Sequence, residues 1–243
     1  MLPHEKLQVY GKGLAFVGAA SALLSGWNKK HAVVDQFDRA SESLILNLAD
    51  GARLRSGPSK LRALDYAIGS GLECAGCLDI AAVKGFLGKL ERDREKERLC
   101  EIIKMLIGLR KAWQTWKANE ESVSYRSDPL AGVPLFPHET LEVYDAALEL
   151  MAWLVSRPGG KELSSRVYRQ IDEGVTSIIL NIAEGNGRYS ELDHRRFLDI
   201  AEGSAVKVGA YLDLAVQKLT FSQEECATAK GLLERIMAML SRM

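Results

Sequence analysis

An internal repeat constrains this chain more than any other feature of its sequence. Residues 7–109 align with residues 141–243 at a constant offset of 134 positions and without a gap. Roughly thirty identities over about one hundred positions are typical of a duplicated structural unit. The strongest match pairs LNLADG at 46–51 with LNIAEG at 180–185. Each copy is therefore a control on the other, because a residue kept in both is expected to serve the fold that they share.

The repeat divides the 243 residues into two domains, each of a size that a single hydrophobic core supports. We predict copy 1 over residues 1–116, a linker over 117–140 and copy 2 over 141–243. Prolines interrupt helices and stiffen an exposed segment. The predicted linker contains three of them, Pro129, Pro134 and Pro137.

Apolar periodicity predicts helices in both copies. Each copy carries four apolar stripes with helical spacing, and no segment alternates with the period of a strand. Short connections join the stripes, and each stripe must be buried against the others. The sequence therefore predicts an all-α protein of two tandem antiparallel four-helix bundles. The clearest stripe has the spacing i, i+4, i+8, i+11, at Val167, Ile171, Val175 and Ile178.

Two pairs of glycines recur at equivalent positions of the repeat. Gly51 and Gly185 follow the second stripe, which predicts helix C-terminal glycines with positive φ. Gly69 and Gly203 fall inside the third predicted helix, where a glycine costs about 1 kcal/mol relative to alanine. Their presence in both copies predicts that another helix crosses closely at these points.

Composition argues against a membrane segment and against a strong overall field. The 32 basic and 32 acidic residues give a net charge of zero, so no whole-protein potential attracts nucleic acid or anionic lipid. The uncharged run 14–27 resembles a signal peptide, but its counterpart in copy 2 carries Glu149 and Arg157. We interpret the run as the first helix. The four cysteines are unmatched between the copies, which favours a reducing, cytoplasmic location.

Residues suited to catalysis or metal binding do not form a repeated pattern. Cys74 and Cys77 form a C-x-x-C pair that suits redox chemistry or half of a zinc site. Their counterparts, Val208 and Tyr211, belong to an apolar stripe, which favours packing. With the repeat taken from residue 7, none of the four histidines is matched in the other copy. We therefore predict no catalytic site, no metal and no cofactor.

Both copies also keep an arginine and an aspartate three residues apart on the third helix. A carboxylate retained in this way suits acid–base work, or it forms a hydrogen-bonded pair that fixes helix register. An asparagine on the second helix is expected beside each pair. The residues are Arg62, Asp65 and Asn47 in copy 1, and Arg196, Asp199 and Asn181 in copy 2.

Basic residues cluster at the turn between the second and third helices of each copy. Arginines near a helix start suit phosphate oxygens, so this surface is our candidate for nucleic-acid binding, with an ordinary solvated loop as the alternative. Trp113 and Trp116 either anchor a partner or close the end of their own bundle. The basic candidates are Arg53, Arg55, Lys60 and Arg62 in copy 1, and Arg188, Arg195 and Arg196 in copy 2.

The segments NIAEGNGR at 181–188 and RFLDIAEGS at 196–204 resemble a known family. They are similar to four-helix-bundle proteins encoded in intervening sequences of bacterial large-subunit ribosomal RNA genes, a family related to the accessory variability determinant of diversity-generating retroelements. The resemblance covers essentially all of copy 2. Copy 1 departs from the pattern at Ala52-Arg53 and Gly57-Pro58.

The resemblance implies a bundle without known catalytic activity that self-associates into rings of five. It also implies contact with RNA and, in the retroelement relative, with a reverse transcriptase. A fused pair departs from this arrangement, because whole two-bundle chains cannot fill a ring with an odd number of places. We therefore expect either an even number of bundles or one copy outside any ring.

Two functional hypotheses follow. The first is a non-enzymatic oligomeric adaptor that contacts RNA or a nucleic-acid-processing protein through the basic turns. The second is a protein–protein scaffold without nucleic-acid contact.

Overall fold

The computed structural model describes residues 2–54, 57–114 and 136–243, and these ranges contain eight α-helices and no β-strand. Copy 1 comprises α1 (Gln8–Leu24), α2 (Ala32–Arg53), α3 (Pro58–Val83) and α4 (Lys89–Gln114). Copy 2 comprises α5 (Glu142–Ser156), α6 (Arg166–Asn186), α7 (Glu191–Gln217) and α8 (Gln223–Leu240). Short 3-10 turns, Pro3–Lys6 and Pro137–Thr140, precede α1 and α5. The uncharged run near the start of the chain forms most of α1, as predicted.

Each copy closes into a four-helix unit with the same neighbours. In copy 1, α2 packs against α1 and α3, while α4 packs against α3 and α1. In copy 2, α6 packs against α5 and α7, while α8 packs against α7 and α5. The predicted all-α tandem duplication is confirmed.

A hydrogen-bonded triad joins the second and third helices in both copies. Asn47 donates to the carbonyl and the hydroxyl of Ser43, whose Oγ lies 2.8 Å from Oγ of Ser70. Residues Asn181, Ser177 and Ser204 repeat this arrangement, again with 2.8 Å between the hydroxyls. The predicted link from the asparagines to the arginine–aspartate pairs is wrong, because the amides bond along their own helices. Asp65 pairs with Arg110 of α4 instead of Arg62.

The two glycines near the ends of the second helices do not have positive φ. Gly51 and Gly185 lie inside α2 and α6, so the prediction of left-handed caps is wrong. The reason for glycine is space. A Cβ at position 185 would lie 2.8 Å from Cβ of Phe197, and a Cβ at position 51 would lie 3.3 Å from Cβ of Ala63.

The two mid-helix glycines have different surroundings. A Cβ at Gly69 would lie 2.8 Å from the guanidinium carbon of Arg188, so α3 is approached closely there by the other copy. Gly203 has nothing within 4 Å and is exposed. The neighbour of Gly69 is thus an arginine side chain from the turn after α6, and the predicted crossing of another helix is found at neither glycine.

The two copies pack directly against each other. Helix α3 lies against α5 and α6, and α2 also contacts α6, so the buried apolar residues of both copies form one continuous core. By length and composition α3 could cross a membrane, but 78% of its most apolar window is buried inside the fold. Contact with both copies accounts for its apolar character.

Copy 2 begins earlier in the chain than the sequence predicted. Phe136, Pro137 and His138 are buried, and the 3-10 turn that follows Phe136 contacts α5 and α6. The last five residues of the predicted linker, 136–140, therefore belong to the packed structure. The rest of that segment, together with Arg55 and Trp116, lies outside the described residues.

Substitution of matched residues tests the packing of the two copies. Leu72 of α3 is fully buried and abuts Gly187 at the end of α6, whereas its counterpart Val206 on α7 is exposed. We expect Leu72→Ala to lower the free energy of unfolding by about 2–5 kcal/mol, and Val206→Ala to change it by at most about 0.5 kcal/mol. Urea unfolding followed by circular dichroism measures both. Equal effects would contradict the packing described here.

Candidate functional site at the contact between the two copies

Glycine permits the close approach of α3 to α6. A Cβ at Gly76 would lie 3.0 Å from Cδ2 of Leu180 and 3.5 Å from Cβ of Ala183. Leu180, Ala183 and the neighbouring Ile80 are all buried. A larger side chain at position 76 would separate the two helices. Three groups of polar residues lie around this apolar contact.

The first group joins α3 and α4 of copy 1 to the start of copy 2. Nζ of Lys96 lies 2.8 and 2.7 Å from the two carboxylate oxygens of Asp79 and also donates to Glu139. The hydroxyl of Tyr144 donates to Asp79 over 2.9 Å, and burial beside this carboxylate raises the pKa of Tyr144. These residues border a cavity of about 540 Å³, which Arg92 also lines. The ammonium of Lys96 thus bridges carboxylates from the two copies.

His138 lies beside this group, in the turn that precedes α5. Both ring nitrogens are buried and have no partner among the described residues. Burial, together with the charge of Lys96, lowers the pKa of His138 to about 3, so the ring is neutral near pH 7. His138, Asp79 and Glu139 place possible metal ligands within 4.8 Å of one another. The ammonium of Lys96 already lies between the two carboxylates, so a metal ion is not needed there to balance their negative charge.

The second polar group is a buried ion pair at the C-terminal end of α3, five residues beyond Asp79. Lys84 pairs with Asp172 of α6, and both side chains are 1% exposed. The second oxygen of Asp172 accepts the backbone N–H of Ala32 over 3.0 Å. His31 bridges the copies as well, since Nδ1 lies 3.1 Å from Nζ of Lys84 and Nε2 lies 2.9 Å from the carbonyl of Lys161. Burial, with the adjacent Lys84, lowers the pKa of His31, so the neutral ring donates from Nε2 and accepts at Nδ1.

The third polar group is centred on Arg188, which we predicted to bind nucleic acid. The residue lies in the turn after α6, is 3% exposed and pairs with Glu184 near the end of that helix. It donates to the carbonyl of Asp65 over 3.2 Å, and its guanidinium lies 4.9 Å from the ring centre of Tyr66. Arg188 therefore connects the two copies. We correct its assignment, because a side chain buried in this way is inaccessible to an external phosphate.

Two further basic candidates also bond inside the chain. Arg53 pairs with Asp50 over 2.7 Å on the exposed surface of α2. Nζ of Lys60 lies 3.9 Å from the ring centre of Trp113, which packs over Gly51 at the end of its own bundle. Trp113 thus occupies the bundle-closing position that was one of its two predicted alternatives.

The remaining described candidates lie on the surface. Arg62, Arg195 and Arg196 are exposed, and none has an ion pair within 4.0 Å in the described part of the chain. His194, next to Arg195, is buried and its Nδ1 lies 2.7 Å from the carbonyl of Gly185. The basic surface of the turns is therefore smaller than the sequence suggested.

The cysteine pair is part of the core. Cys74 and Cys77 are completely buried and have free thiols. Burial raises the pKa of both thiols well above the ordinary value, with a further contribution from the nearby Glu73. A buried thiol that holds its proton is a poor nucleophile, which agrees with the packing interpretation.

The sequence analysis did not predict that His138 and Glu139 belong to the contact between the copies. The reason is that the repeat extends further toward the N-terminus than residue 7, where our alignment began. The tripeptide Pro3-His4-Glu5 matches Pro137-His138-Glu139 at the same offset of 134. His4 and His138 are therefore equivalent, and the expectation of unmatched histidines is wrong for this pair. Extension of the alignment by a few residues would have found it.

Comparison with known proteins identifies the family. The family described as 23S rRNA-intervening sequence protein matches the chain twice, over residues 5–108 and 139–242. The chain therefore belongs to this family and contains two consecutive copies of it. Comparisons with curated proteins and with solved structures gave no significant match.

The buried position of Glu73 at the contact between the two copies predicts that the stability of the fold depends on pH. Burial and the nearby Glu184 raise the pKa of Glu73 to about 8, while Arg39 and Arg188 oppose this effect. Between about pH 4.5 and 8, Glu73 holds a proton in the folded state and has lost it in the unfolded state. The free energy of unfolding therefore falls as the pH rises through this range, by up to about 1.4 kcal/mol for each unit by which the pKa is shifted. We expect Glu73→Gln to reduce this fall.

Denaturant titrations at several pH values between 5 and 9 measure this effect. Glu42→Gln, at an exposed position of α2, is the matched control and should leave the profile unchanged. Identical pH profiles for the wild type and Glu73→Gln would contradict the assignment.

Proposed function

We propose that the protein is a non-enzymatic adaptor that self-associates. The observation that supports this proposal is a set of apolar side chains left exposed on α2 and α7. Leu46 is 66% exposed, Val206 is 61% exposed and Leu214 is 46% exposed. Exposed apolar surface of this kind is typical of protein–protein interfaces. The buried, protonated thiols of Cys74 and Cys77 agree with a role in binding rather than in catalysis.

Protein contact is favoured over nucleic-acid contact by the arrangement of the basic turns. Arg188 is buried between the copies, while Arg53 and Lys60 bond to Asp50 and Trp113. The second candidate function, contact with RNA or a nucleic-acid-processing protein, depends on the exposed arginines that remain. These are Arg62, Arg195 and Arg196.

Self-association is tested by the mass of the protein in solution. We expect the wild type at micromolar concentration to exceed the chain mass of 26.8 kDa by light scattering. Val206→Asp should reduce the mass, because a charge would be buried in an apolar contact. Ala238→Asp on α8 is the control, since both Ala238 and its counterpart Lys104 are exposed. A monomeric wild type would refute the proposal.

The nucleic-acid alternative predicts a salt-dependent affinity. If the three exposed arginines contact phosphates, binding of a fluorescent structured RNA should weaken steeply as salt rises. The triple variant Arg62→Ala, Arg195→Ala, Arg196→Ala should bind more weakly and show a shallower salt dependence. Arg242→Ala, at an exposed position near the end of the chain, is the control. Affinity that is independent of salt, or unchanged in the triple variant, would leave the protein scaffold as the remaining function.

A further inference from the structure

The contact between the two copies is head to tail. The surface of copy 1 that it uses lies on α3, with Lys96 of α4 and the N-terminal end of α2, and we call it the front face. The surface of copy 2 that it uses lies on α5 and α6, and we call it the back face. A two-fold symmetric contact would also bring α7 against α1 and α2, and the described helices make no such contact. A head-to-tail contact leaves one equivalent face uncovered at each end. Here these are the front face of copy 2, on α7 and α8, and the back face of copy 1, on α1 and α2.

The uncovered front face keeps the polar residues of the covered one. Asp213 and Lys230 are the counterparts of Asp79 and Lys96. They already form the same ion pair, with 67% and 40% of their side chains exposed. Lys218, the counterpart of the buried Lys84, is exposed near the C-terminal end of α7.

The uncovered back face keeps the complementary residues. Glu5 and Tyr10 are the counterparts of Glu139 and Tyr144. The ring centres of His4 and Tyr10 lie 4.6 Å apart, against 4.7 Å for His138 and Tyr144 in the covered face. Asp38, which corresponds to the buried Asp172, is exposed on α2. Each end of the chain therefore presents one half of the Lys96 and Lys84 groups that are complete at its centre, while Arg188 of the third group is replaced by Leu54.

The apolar part of the contact is also present in two halves. On α7, the exposed Val206, Ala210 and Leu214 correspond to the buried Leu72, Gly76 and Ile80. On α2, Leu46 and Ala49 are identical to the buried Leu180 and Ala183. Gly203, which has open space above it, matches Gly69, over which the side chain of Arg188 from the other copy lies.

Some positions differ between the covered faces at the centre and the uncovered faces at the ends, and these differences make the two uncovered faces complementary in charge and volume. At the centre, Glu73 faces Glu184, and the two carboxylates repel each other. Their counterparts at the ends are Lys207 and Asp50, which carry opposite charges. At the centre Leu72 abuts Gly187, whereas at the ends the smaller Val206 would meet the larger Arg53. Charge and volume both suit a contact between separate chains.

We propose that the front face on α7 and α8 of one chain binds the back face on α1 and α2 of a second copy of the same chain, rebuilding the central contact between chains. The inference rests on the proposed self-association and specifies its geometry. Lys218 pairs with Asp38, Asp213 accepts from Tyr10, and Lys207 pairs with Asp50. Because each chain adds two bundles, a closed assembly contains an even number of bundles, and an assembly that does not close is a filament.

Charge reversal tests the pairing of Lys218 with Asp38. Both are exposed in the single chain, so their substitution should leave the fold intact, as circular dichroism will verify. Asp38→Lys and Lys218→Asp should each bring the protein to the mass of one chain, because each places like charges in the contact. The double variant should regain assembly. Assembly that is unaffected by either single reversal would overturn the pairing while leaving self-association standing.

Mixing of two blocked chains tests the direction of the contact. Leu46→Asp blocks the back face and Val206→Asp blocks the front face, so each variant alone should be monomeric. An equimolar mixture should form a dimer of one chain of each kind, at twice the mass of 26.8 kDa, because each variant retains the face that the other has lost. Differential isotope labelling with native mass spectrometry identifies the mixed species.

The outcomes separate this inference from the proposed function. A Val206→Asp chain that dimerises alone would indicate a symmetric contact between back faces, and a Leu46→Asp chain that dimerises alone would indicate one between front faces. Either result would overturn the head-to-tail geometry while self-association remained. A wild type that is monomeric at all concentrations would overturn both.

Discussion

The burial of α3 on all sides is the constraint on which the arrangement of this chain depends. Residues 67–72 and 74–81 are buried without interruption, whereas only one stripe of the equivalent α7 is buried. A helix that is apolar all round requires neighbours on every side. Copy 1 supplies α2 and α4, and copy 2 supplies α5 and α6. The two copies therefore form one structure, and α3 is the central helix of it.

Buried charges determine how the copies are aligned rather than how strongly they bind. The Lys84–Asp172 pair is almost completely removed from water, and the loss of hydration offsets much of the attraction. A displaced arrangement would, however, leave either charge buried without a partner, which is strongly unfavourable. The Lys96 group, which contacts α3 at Asp79 near the same end of the helix, imposes a second such condition. With both conditions satisfied, α3 has a single register against copy 2.

The apolar periodicity and the repeat predicted the eight helices and their division into two bundles of four, because each apolar stripe reflects burial inside one copy. The contact between the copies was not predictable in the same way. Residues such as Asp38 and Asp172 are identical in both copies, yet one is exposed and the other buried. Comparison of the copies identifies what they share and cannot identify which of two equivalent faces is covered. Arg188 has Leu54 as its counterpart and was misassigned for another reason, since its sequence position near a helix turn gives no information on contact with the other copy.

The differences between the central and terminal faces agree with the proposed contact between chains. Within one chain the copies are covalently joined, so their effective concentration is high and the contact tolerates the repulsion of Glu73 and Glu184. A contact between chains has no such help and must overcome the loss of translational and rotational freedom through its own interactions. Opposite charges at Lys207 and Asp50 suit that demand, and they also oppose binding of a face in the wrong orientation. After a duplication, the covalent link lets the central pair lose complementarity, whereas the proposed contact between chains requires the terminal pair to keep it.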